Sequence, residues 1–228
     1  MGDVTVRAEA YVTAENLDFA IEAWKTKIVS HVRRRPHWQL HPEQAALVVV
    51  DVQRAFCDPQ GLHFLPAFSA IEVRIQHLVQ TWRAIHRPLA WTRHAHVEPH
   101  ASCVHRNFWG SLIDASSPQA DFWFSPVCGE WSERKETYDA FYGTSLETFL
   151  HQNACTQILV AGVLTHLCVE TTVRSAFVHG FEPFVVMDAC AANLQVFHEN
   201  SLLAMAAGFA GVVTVQEVCH TCRSEYLL

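Results

Sequence analysis

Short apolar runs that alternate with amphipathic stretches constrain the fold of this chain more than any other feature. Ala46–Val50 is a continuous apolar run that ends in Asp51, as expected for a strand buried on both faces of a parallel sheet. Similar runs predict strands over Leu89–Thr92, Ile158–Ala161, Phe184–Met187 and Val212–Val215. The intervening stretches predict helices, including one over 168–179 and one over 197–207. This alternation indicates an α/β fold with a mostly parallel sheet covered on both faces.

The composition indicates one folded chain with a sizeable core. Half of the 228 residues are hydrophobic and 17% are charged, which argues against disorder. The net charge of −7 argues against a nucleic-acid partner. No apolar run approaches the ~20 residues of a membrane span, and the first ten residues do not resemble a secretory signal. We therefore expect a reduced cytoplasmic protein with no membrane partner, its eight cysteines scattered over strands and helices.

The first 40 residues differ from the rest of the chain. One apolar stripe at helical spacing predicts an amphipathic helix there, formed by Leu17, Ile21, Trp24 and Ile28. Pro36 would end it. The sequence thus divides into an N-terminal helical extension (residues 1–40) and a domain (residues 41–228). The stripe either packs on its own domain or clasps a second subunit, and the sequence does not separate the two.

A capping box and a tight turn indicate where two further helices begin. Ser69 and Glu72 have the spacing of a capping box, which predicts a helix beginning there. Cys168 lies where a tight turn, residues 162–167, enters a helix, and the positive end of a helix dipole favours a thiolate. The backbone N–H groups of such a turn suit an oxyanion hole.

Two more residues suit a thiol nucleophile at this position. In parallel sheets the site lies beyond the carboxyl ends of the strands, and Asp51 stands there, ready to accept a thiol proton. Lys135, in a polar stretch, would hold thiolate and carboxylate together by charge. Taken singly, each residue has an ordinary interpretation: Cys168 as a core thiol, Asp51 as a loop cap and Lys135 as a surface charge.

Three separated motifs resemble those of the isochorismatase-like cysteine hydrolases, which include nicotinamidases and N-carbamoylsarcosine amidase. They are Val48-Val49-Val50-Asp51-Val52-Gln53 with Phe56, Lys135 with Phe141-Tyr142-Gly143-Thr144, and Gly162-Val163-Leu164-Thr165-His166-Leu167-Cys168-Val169. They follow the family's order and spacing between about residues 45 and 218. The resemblance implies that Asp51, Lys135 and Cys168 form the catalytic triad.

The same resemblance implies a fold, an assembly and a reaction. The fold is a three-layer, Rossmann-like sandwich with a mostly parallel six-stranded sheet, and the assembly is a homodimer or tetramer. A cis peptide bond at Val163–Leu164 would aim the N–H groups of Leu164 and Cys168 at the substrate oxygen. The reaction is hydrolysis of a C–N bond in a small amide, carbamoyl or ureide compound, through a thioester and without a cofactor.

Aromatic and imidazole side chains flank the predicted pocket. We expect substrate contacts from five aromatic residues, with core packing as the alternative for each: Phe56, Trp91, Trp109, Phe141 and Tyr142. His94-x-His96 occurs where nicotinamidases carry an Asp-x-His metal motif. Because His94 replaces the carboxylate, we expect no metal and hydrogen-bonding roles for both rings, a divalent cation being the alternative. His166, two residues before the thiol, faces either substrate or a neighbouring subunit.

Two other functions stay open at this point. A true isochorismatase splits a vinyl ether and does not need a thiol, so the presence of Cys168 favours an amidohydrolase. A non-catalytic scaffold member would not need the three triad residues. The substrate itself is not readable, because selectivity depends on loops around 55–66 and 94–125.

Overall fold

Six parallel strands form the centre of the molecule. The computed structural model describes residues 7–33, 35–97 and 104–226 of the chain. The strands are β1 (Ala45–Val50), β2 (Leu89–His94), β3 (Trp131–Lys135), β4 (Gln157–Val163), β5 (Glu182–Ala191) and β6 (Gly211–Val213). They lie in the order β3-β2-β1-β4-β5-β6, and every neighbouring pair is parallel. The predicted α/β class with a six-stranded sheet is confirmed.

Helices flank this sheet and complete a three-layer sandwich. They are α1 (Leu17–His31), α2 (Arg54–Cys57), α3 (Phe68–Ala84), α4 (Val104–Trp109), α5 (Leu146–Gln152), α6 (Glu170–Val178), α7 (Gln195–Gly208) and α8 (Val215–Tyr226). Helices α3 and α8 pack together, as do α6 and α7, and α1 packs on α7. Within the described part of the chain, none of the helices has both the length and the apolar character needed to cross a bilayer.

The central strands are the ones that the sequence predicts best. Every residue of β1 and β4 is buried, because both strands are covered on both faces and therefore read as continuous apolar runs. Their register aligns Val50 with Thr92 of β2 and with Gly162 of β4. The carboxyl ends of three neighbouring strands consequently meet at one edge of the sheet, where Asp51 follows β1.

Two predictions at strand and helix ends are wrong. The strand predicted over Val212–Val215 ends at Val213, because Val215 begins α8. A reciprocal capping box makes that start: the Glu217 N–H donates to Thr214 Oγ1 at 3.2 Å, and the Thr214 N–H donates to Glu217 Oε2 at 2.8 Å. The capping box predicted at Ser69 does not form.

Helix α3 begins at Phe68, one residue before the predicted cap. Its N-cap, Ala67, has no side chain that could bond the free N–H groups. Glu72, the residue expected to complete the box, instead accepts a 2.9 Å hydrogen bond from the indole of Trp123. The tertiary partner of the glutamate therefore overrides the local signal.

The predicted N-terminal stripe lies on its own chain. Leu17, Ile21 and Trp24 of α1 are buried, and Ile28 packs partly buried against the core. The helix lies against α7, where Lys27 Nζ is 2.7 Å from a Glu199 carboxylate oxygen. The structure therefore supports the interpretation in which the stripe packs on its own domain.

A glycine fixes the distance between β1 and β4. Gly162 has φ +123°, a conformation that other residues rarely adopt, and a Cβ there would lie 2.1 Å from the Val50 carbonyl oxygen. No side chain fits this gap without moving one of the two central strands. The close approach brings the end of β4 directly beside the end of β1.

We predict that Gly162→Ala destabilises the protein by about 3 kcal/mol or more, because the methyl group would overlap backbone atoms rather than a movable side chain. Gly208→Ala is the matched control, since nothing lies within 4 Å of a Cβ built there. The control should change the free energy of unfolding by less than about 1 kcal/mol. Chemical denaturation measures both, and equal midpoints for the two variants would contradict the prediction.

Candidate active site

Asp51 and Lys135 form a buried ion pair at the carboxyl edge of the sheet. Asp51 follows β1 and Lys135 ends β3, so the pair spans the intervening strand β2. Lys135 Nζ lies 2.7 Å from Asp51 Oδ2, and both side chains are completely buried. Thr92 Oγ1 donates to the other carboxylate oxygen at 2.8 Å, and Lys135 Nζ also donates to the Thr137 carbonyl at 2.9 Å. One carboxylate oxygen therefore accepts a hydrogen bond from Thr92, and the other is in ion-pair contact with Lys135.

The backbone at Asp51 is itself unusual. Its φ is +52°, in the left-handed region that aspartate tolerates better than most residues. Such strain of about 1–3 kcal/mol persists where the surrounding structure imposes it, and it concentrates at functional sites. Here Gln53 anchors the turn, because its side chain accepts from the His94 N–H at 2.7 Å and donates to the His94 carbonyl at 3.0 Å.

Cys168 lies in a π-helical turn, Thr165–Val169, between β4 and α6. Such π-helical turns are rare in proteins, and many of those that occur lie at functional sites. A cis peptide bond joins Val163 to Leu164 just before the turn, as predicted. Cys168 is 4% exposed, and its sulfur, an Asp51 carboxylate oxygen and a His94 ring nitrogen all lie within 4.8 Å of one another.

The resting site holds a neutral thiol beside a charged lysine. Burial raises the pKa of Cys168, the Asp51 carboxylate raises it further, and the Lys135 ammonium offsets only part of this. Burial alone would lower the pKa of Lys135, but the adjacent Asp51 carboxylate outweighs it and the net direction is upward. The expectation of a thiolate favoured by the helix dipole is therefore wrong for the resting site, since α6 begins two residues after Cys168 and desolvation dominates.

Neutral imidazoles form one wall of the site. His94 Nδ1 lies 3.3 Å from the Thr137 carbonyl oxygen, which only accepts hydrogen bonds, so Nδ1 carries the hydrogen. His94 Nε2 must then accept from His96 Nε2, 3.2 Å away. Burial, followed by the charge of Lys135, lowers the pKa of His94 to about 3. The rings of His105 and Tyr138 pack against His94 at 5.6 and 6.3 Å between centroids.

The position next to Asp51 is poorly suited to a metal ion. Asp51, His94 and Cys168 are close enough together to ligate one, but the Lys135 ammonium already bonds the carboxylate at 2.7 Å. A second cation there would meet a buried like charge in a medium of low dielectric constant. The Nε2 atoms of His94 and His96 lie 3.2 Å apart, so these two rings form a second candidate donor pair among the described residues.

Of the five predicted substrate-binding aromatic residues, Trp109 lies beside the imidazole wall. Its indole N–H donates to the Tyr138 hydroxyl at 2.6 Å, and Tyr138 packs against His94 and His105. Phe56 follows Asp51 in α2, is buried, and stacks on His63 at 6.0 Å. Tyr138 was not predicted from the sequence, although it lies within three residues of Lys135.

The other three predicted aromatic residues have partners or surroundings unrelated to the imidazole wall. Trp91 is a fully buried core residue, and its indole N–H donates to Glu130 at 2.8 Å. Phe141 stacks on His179 at 5.0 Å, just beyond the far end of α6, and Tyr142 is 70% exposed. These contacts favour the core-packing alternative for Trp91 and Phe141, whereas Tyr142 is not packed in the core.

His166 is also turned away from the thiol. Its ring stacks on Phe197 of α7 at 4.7 Å between centroids. Burial lowers its pKa to about 4, so the ring is neutral at physiological pH. Leu164, the second predicted oxyanion-hole donor, caps the π-helical turn that carries Cys168.

Comparison with known proteins identifies the family. The Isochorismatase domain family matches residues 45–217. Nicotinamidase 3 of Arabidopsis thaliana is 30% identical over 175 residues, covering 74% of this chain and 84% of that protein. A probable isochorismatase of Pseudomonas chlororaphis is 28% identical over 186 residues, covering 79% and 87% respectively. A cysteine hydrolase from Pseudomonas syringae pv. phaseolicola 1448A has a similar structure, with a TM-score of 0.79 and 26% identity over 86% of this chain and 98% of that one.

The chain therefore belongs to the isochorismatase family of hydrolases, as the three sequence motifs predicted. The match to the family begins at residue 45, so α1 precedes the matched region.

We predict that Lys135→Met lowers the free energy of unfolding by about 3–5 kcal/mol, because it leaves the Asp51 carboxylate buried without a counter-charge. Adding Asp51→Asn should recover most of that loss, since no charge then remains. Lys25→Met removes one member of the partly exposed Lys25–Glu217 pair and should cost less than about 1 kcal/mol. Denaturant unfolding provides the measurement, and a double variant no more stable than Lys135→Met would contradict the prediction.

We predict an alkaline-shifted alkylation profile for Cys168. Because its folded-state pKa is raised, the thiol stays protonated at neutral pH, and its reaction with iodoacetamide should still accelerate with pH above about 9, where an ordinary thiol levels off. Asp51→Asn should move the profile to lower pH, since it removes a charge that opposes the thiolate. Peptide mass spectrometry follows Cys168, with exposed Cys128 as the internal control. A plateau below pH 8 in the unmodified protein would contradict the raised pKa.

Proposed function

We propose that this protein is a cysteine-dependent amidohydrolase that cleaves a C–N bond of a small amide, carbamoyl or ureide compound. The observation that supports it most is the buried Asp51–Lys135 ion pair, 2.7 Å long, beside the Cys168 thiol. An ion pair desolvated to this degree is weak evidence for stability alone. Its place next to a nucleophilic sulfur gives it a chemical use.

In the first stage Cys168 attacks the substrate. Asp51 takes the thiol proton as the sulfur bonds to the carbonyl carbon, and the carbonyl π electrons move to oxygen. Backbone N–H groups of Leu164 and Cys168 stabilise this oxyanion. When the tetrahedral intermediate collapses, the C–N bond breaks and Asp51 returns its proton to the departing nitrogen. The products of this stage are an amine or ammonia and a thioester at Cys168.

In the second stage water releases the acid. Asp51, again a carboxylate, removes a proton from a water molecule as its oxygen bonds to the thioester carbon. Collapse of this second intermediate breaks the C–S bond, and the proton returns from Asp51 to sulfur. Lys135 keeps its charge throughout and stabilises each state in which Asp51 or Cys168 is negative, which explains why it is buried against both.

The raised pKa of Cys168 fits a nucleophile that is activated only when substrate is present. A neutral thiol is protected from oxidation between turnovers, because the thiolate is the reactive form. The transfer of its proton to Asp51 then depends on the substrate carbonyl, which provides the acceptor for the sulfur electrons.

The wall of the site favours a small planar substrate. Trp109, Tyr138 and the His94 ring are flat and largely neutral groups close to the thiol side of the sheet. Where a divalent cation binds, His94 and His96 would hold it and it would polarise a ring atom or oxygen of the substrate. Assembly into a dimer or tetramer and a cytoplasmic location remain predictions of the sequence.

A vinyl ether hydrolase is the second candidate function, because a probable isochorismatase is among the relatives. That reaction does not need the thiol. The close approach of Cys168 to Asp51 and Lys135 therefore favours the amidohydrolase, and a non-catalytic scaffold role leaves the same arrangement unexplained.

We predict that the protein releases ammonia from at least one member of a panel of nicotinamide, carbamoyl, ureide and maleamate-type compounds. Cys168→Ala should lower kcat at least about 1,000-fold, as expected when the nucleophile of a covalent mechanism is lost. Cys155→Ala is the matched control, because this thiol is also buried but lies before β4, at the amino ends of the strands rather than at the carboxyl ends where Cys168 lies. Turnover of isochorismate, undiminished in Cys168→Ala and without activity on any amide, would show the proposal to be wrong.

A further inference from the structure

The turn that carries Cys168 is held from behind by helix α7. Thr165, the first residue of the turn, is completely buried, and its Oγ1 lies 2.8 Å from His198 Nδ1. The Thr165 carbonyl oxygen is 3.2 Å from the Ser201 hydroxyl, which also contacts Glu170 at the start of α6. His198 and Ser201 lie one turn apart on α7, so one face of this helix contacts both the side chain and the backbone of Thr165.

A histidine buried at this position lowers the stability of the fold, so its presence suggests that the contact with Thr165 has a function. His198 is completely buried, and its Nε2 finds no hydrogen-bond partner among the residues that the structure describes. An unsatisfied buried polar atom costs about 1–3 kcal/mol. A leucine would fill the space without that penalty but would leave the Thr165 hydroxyl without its partner. Burial lowers the pKa of His198 to about 3, so this contact is made by a neutral ring at physiological pH.

The N-terminal extension packs on the other side of His198. Trp24 of α1 contacts the imidazole with ring centroids 4.4 Å apart, and Tyr11 lies at 5.8 Å. The Tyr11 hydroxyl accepts a 3.0 Å hydrogen bond from the Ala192 N–H, just before α7. The ring is thus fixed between the nucleophile turn and residues that precede the region matched by the family.

The same extension contacts both ends of α7. Glu9 Oε1 accepts from the N–H of Gln195, the first residue of the helix, at 3.2 Å. Arg35 donates to the carbonyl oxygens of Ala206 and Ala207, in the last turn, at 2.7 Å each. An acidic group at the amino end and a basic group at the carboxyl end are the arrangement that a helix dipole favours. These groups also satisfy backbone atoms that a helix end leaves free.

We propose that residues 7–33 and Arg35 act as an intramolecular clasp on α7, and that His198 is a positioning residue that holds Thr165, and through it Cys168, in the reactive geometry. The inference rests on the proposed cysteine mechanism. It assigns a catalytic consequence to a segment that precedes the region matched by the family. A displacement of about 1 Å at a reacting group can reduce a rate about 100-fold. Loss of the contacts behind the turn should therefore lower kcat.

Two variants at His198 separate the hydrogen bond from the packing. His198→Leu fills the core without a polar atom, whereas His198→Asn keeps a hydrogen-bonding atom near the position of Nδ1. We expect kcat for an amide found in the ammonia screen to fall about 10- to 100-fold in His198→Leu, with KM changing less than about 3-fold. His198→Asn should recover most of the loss. Equal losses in the two variants, or normal kcat in His198→Leu, would overturn the proposal.

Two variants of the extension test the clasp itself. Arg35→Gln removes the group that donates to the end of α7, and Arg33→Gln is the control, since it makes the same charge change at an exposed position. Arg35→Gln should lower kcat in the same direction as His198→Leu, by at least about 3-fold, while Arg33→Gln should leave it unchanged. Identical kcat in Arg35→Gln and Arg33→Gln would show that the extension does not act on the site.

Hydrogen exchange of the full-length protein keeps this test independent of turnover. Amides of the peptide covering residues 163–170 should exchange about 10-fold faster in His198→Leu than in the unmodified protein and should be restored in His198→Asn. If His198→Leu does not fold, Thr165→Val removes the same hydrogen bond from the other side and takes its place. Unchanged exchange would overturn the clasp alone, whereas a protein inactive on every amide would overturn the proposed function alone.

Discussion

The ion pair between Asp51 and Lys135 is the interaction on which the architecture of the site depends. It joins the end of a central strand to the end of an edge strand across β2, with both charges completely removed from water. Such a pair persists only where geometry is good and other hydrogen bonds satisfy the remaining donors and acceptors. Thr92, Thr137 and the left-handed turn at Asp51 supply those conditions. The sheet therefore places a fully desolvated ion pair beside Cys168.

How much the sequence could predict differs between the centre and the edge of the sheet. Strands β1 and β4 are covered on both faces, so all of their side chains are buried and their sequences read as continuous apolar runs. Strand β3 was not predicted, because its residues Trp-Ser-Glu-Arg-Lys are mostly polar and only Lys135 is buried. Asp51 could be placed at a strand end by periodicity. Lys135 required the family resemblance, since nothing in a local pattern distinguishes a buried lysine from a solvated one.

The substrate wall shows a second limit. Aromatic residues were expected at the pocket because they stand near the motifs in the sequence, yet Trp91 and Phe141 pack in the core and Tyr142 faces solvent. Tyr138 and the His94–His96 pair lie close to the thiol instead. Which side of a strand or loop a residue faces is decided by tertiary packing, and one sequence without relatives does not contain that information. The raised pKa of Cys168 is not predictable from the sequence for a related reason: helix geometry is local, but desolvation depends on the whole fold.

The polar side chains of β3, which prevent its prediction from the sequence, also affect self-association. An edge strand offers a row of backbone donors and acceptors to any other strand, and charged side chains are a common protection against such pairing. In β3 the Glu133 carboxylate is bound to Ser145, and Arg134 donates to Glu136 and to the Ala95 carbonyl. A second copy of the chain would have to displace these contacts to extend the sheet. An oligomer of this protein should therefore not form by strand pairing at β3, which is one of the two edge strands of the sheet.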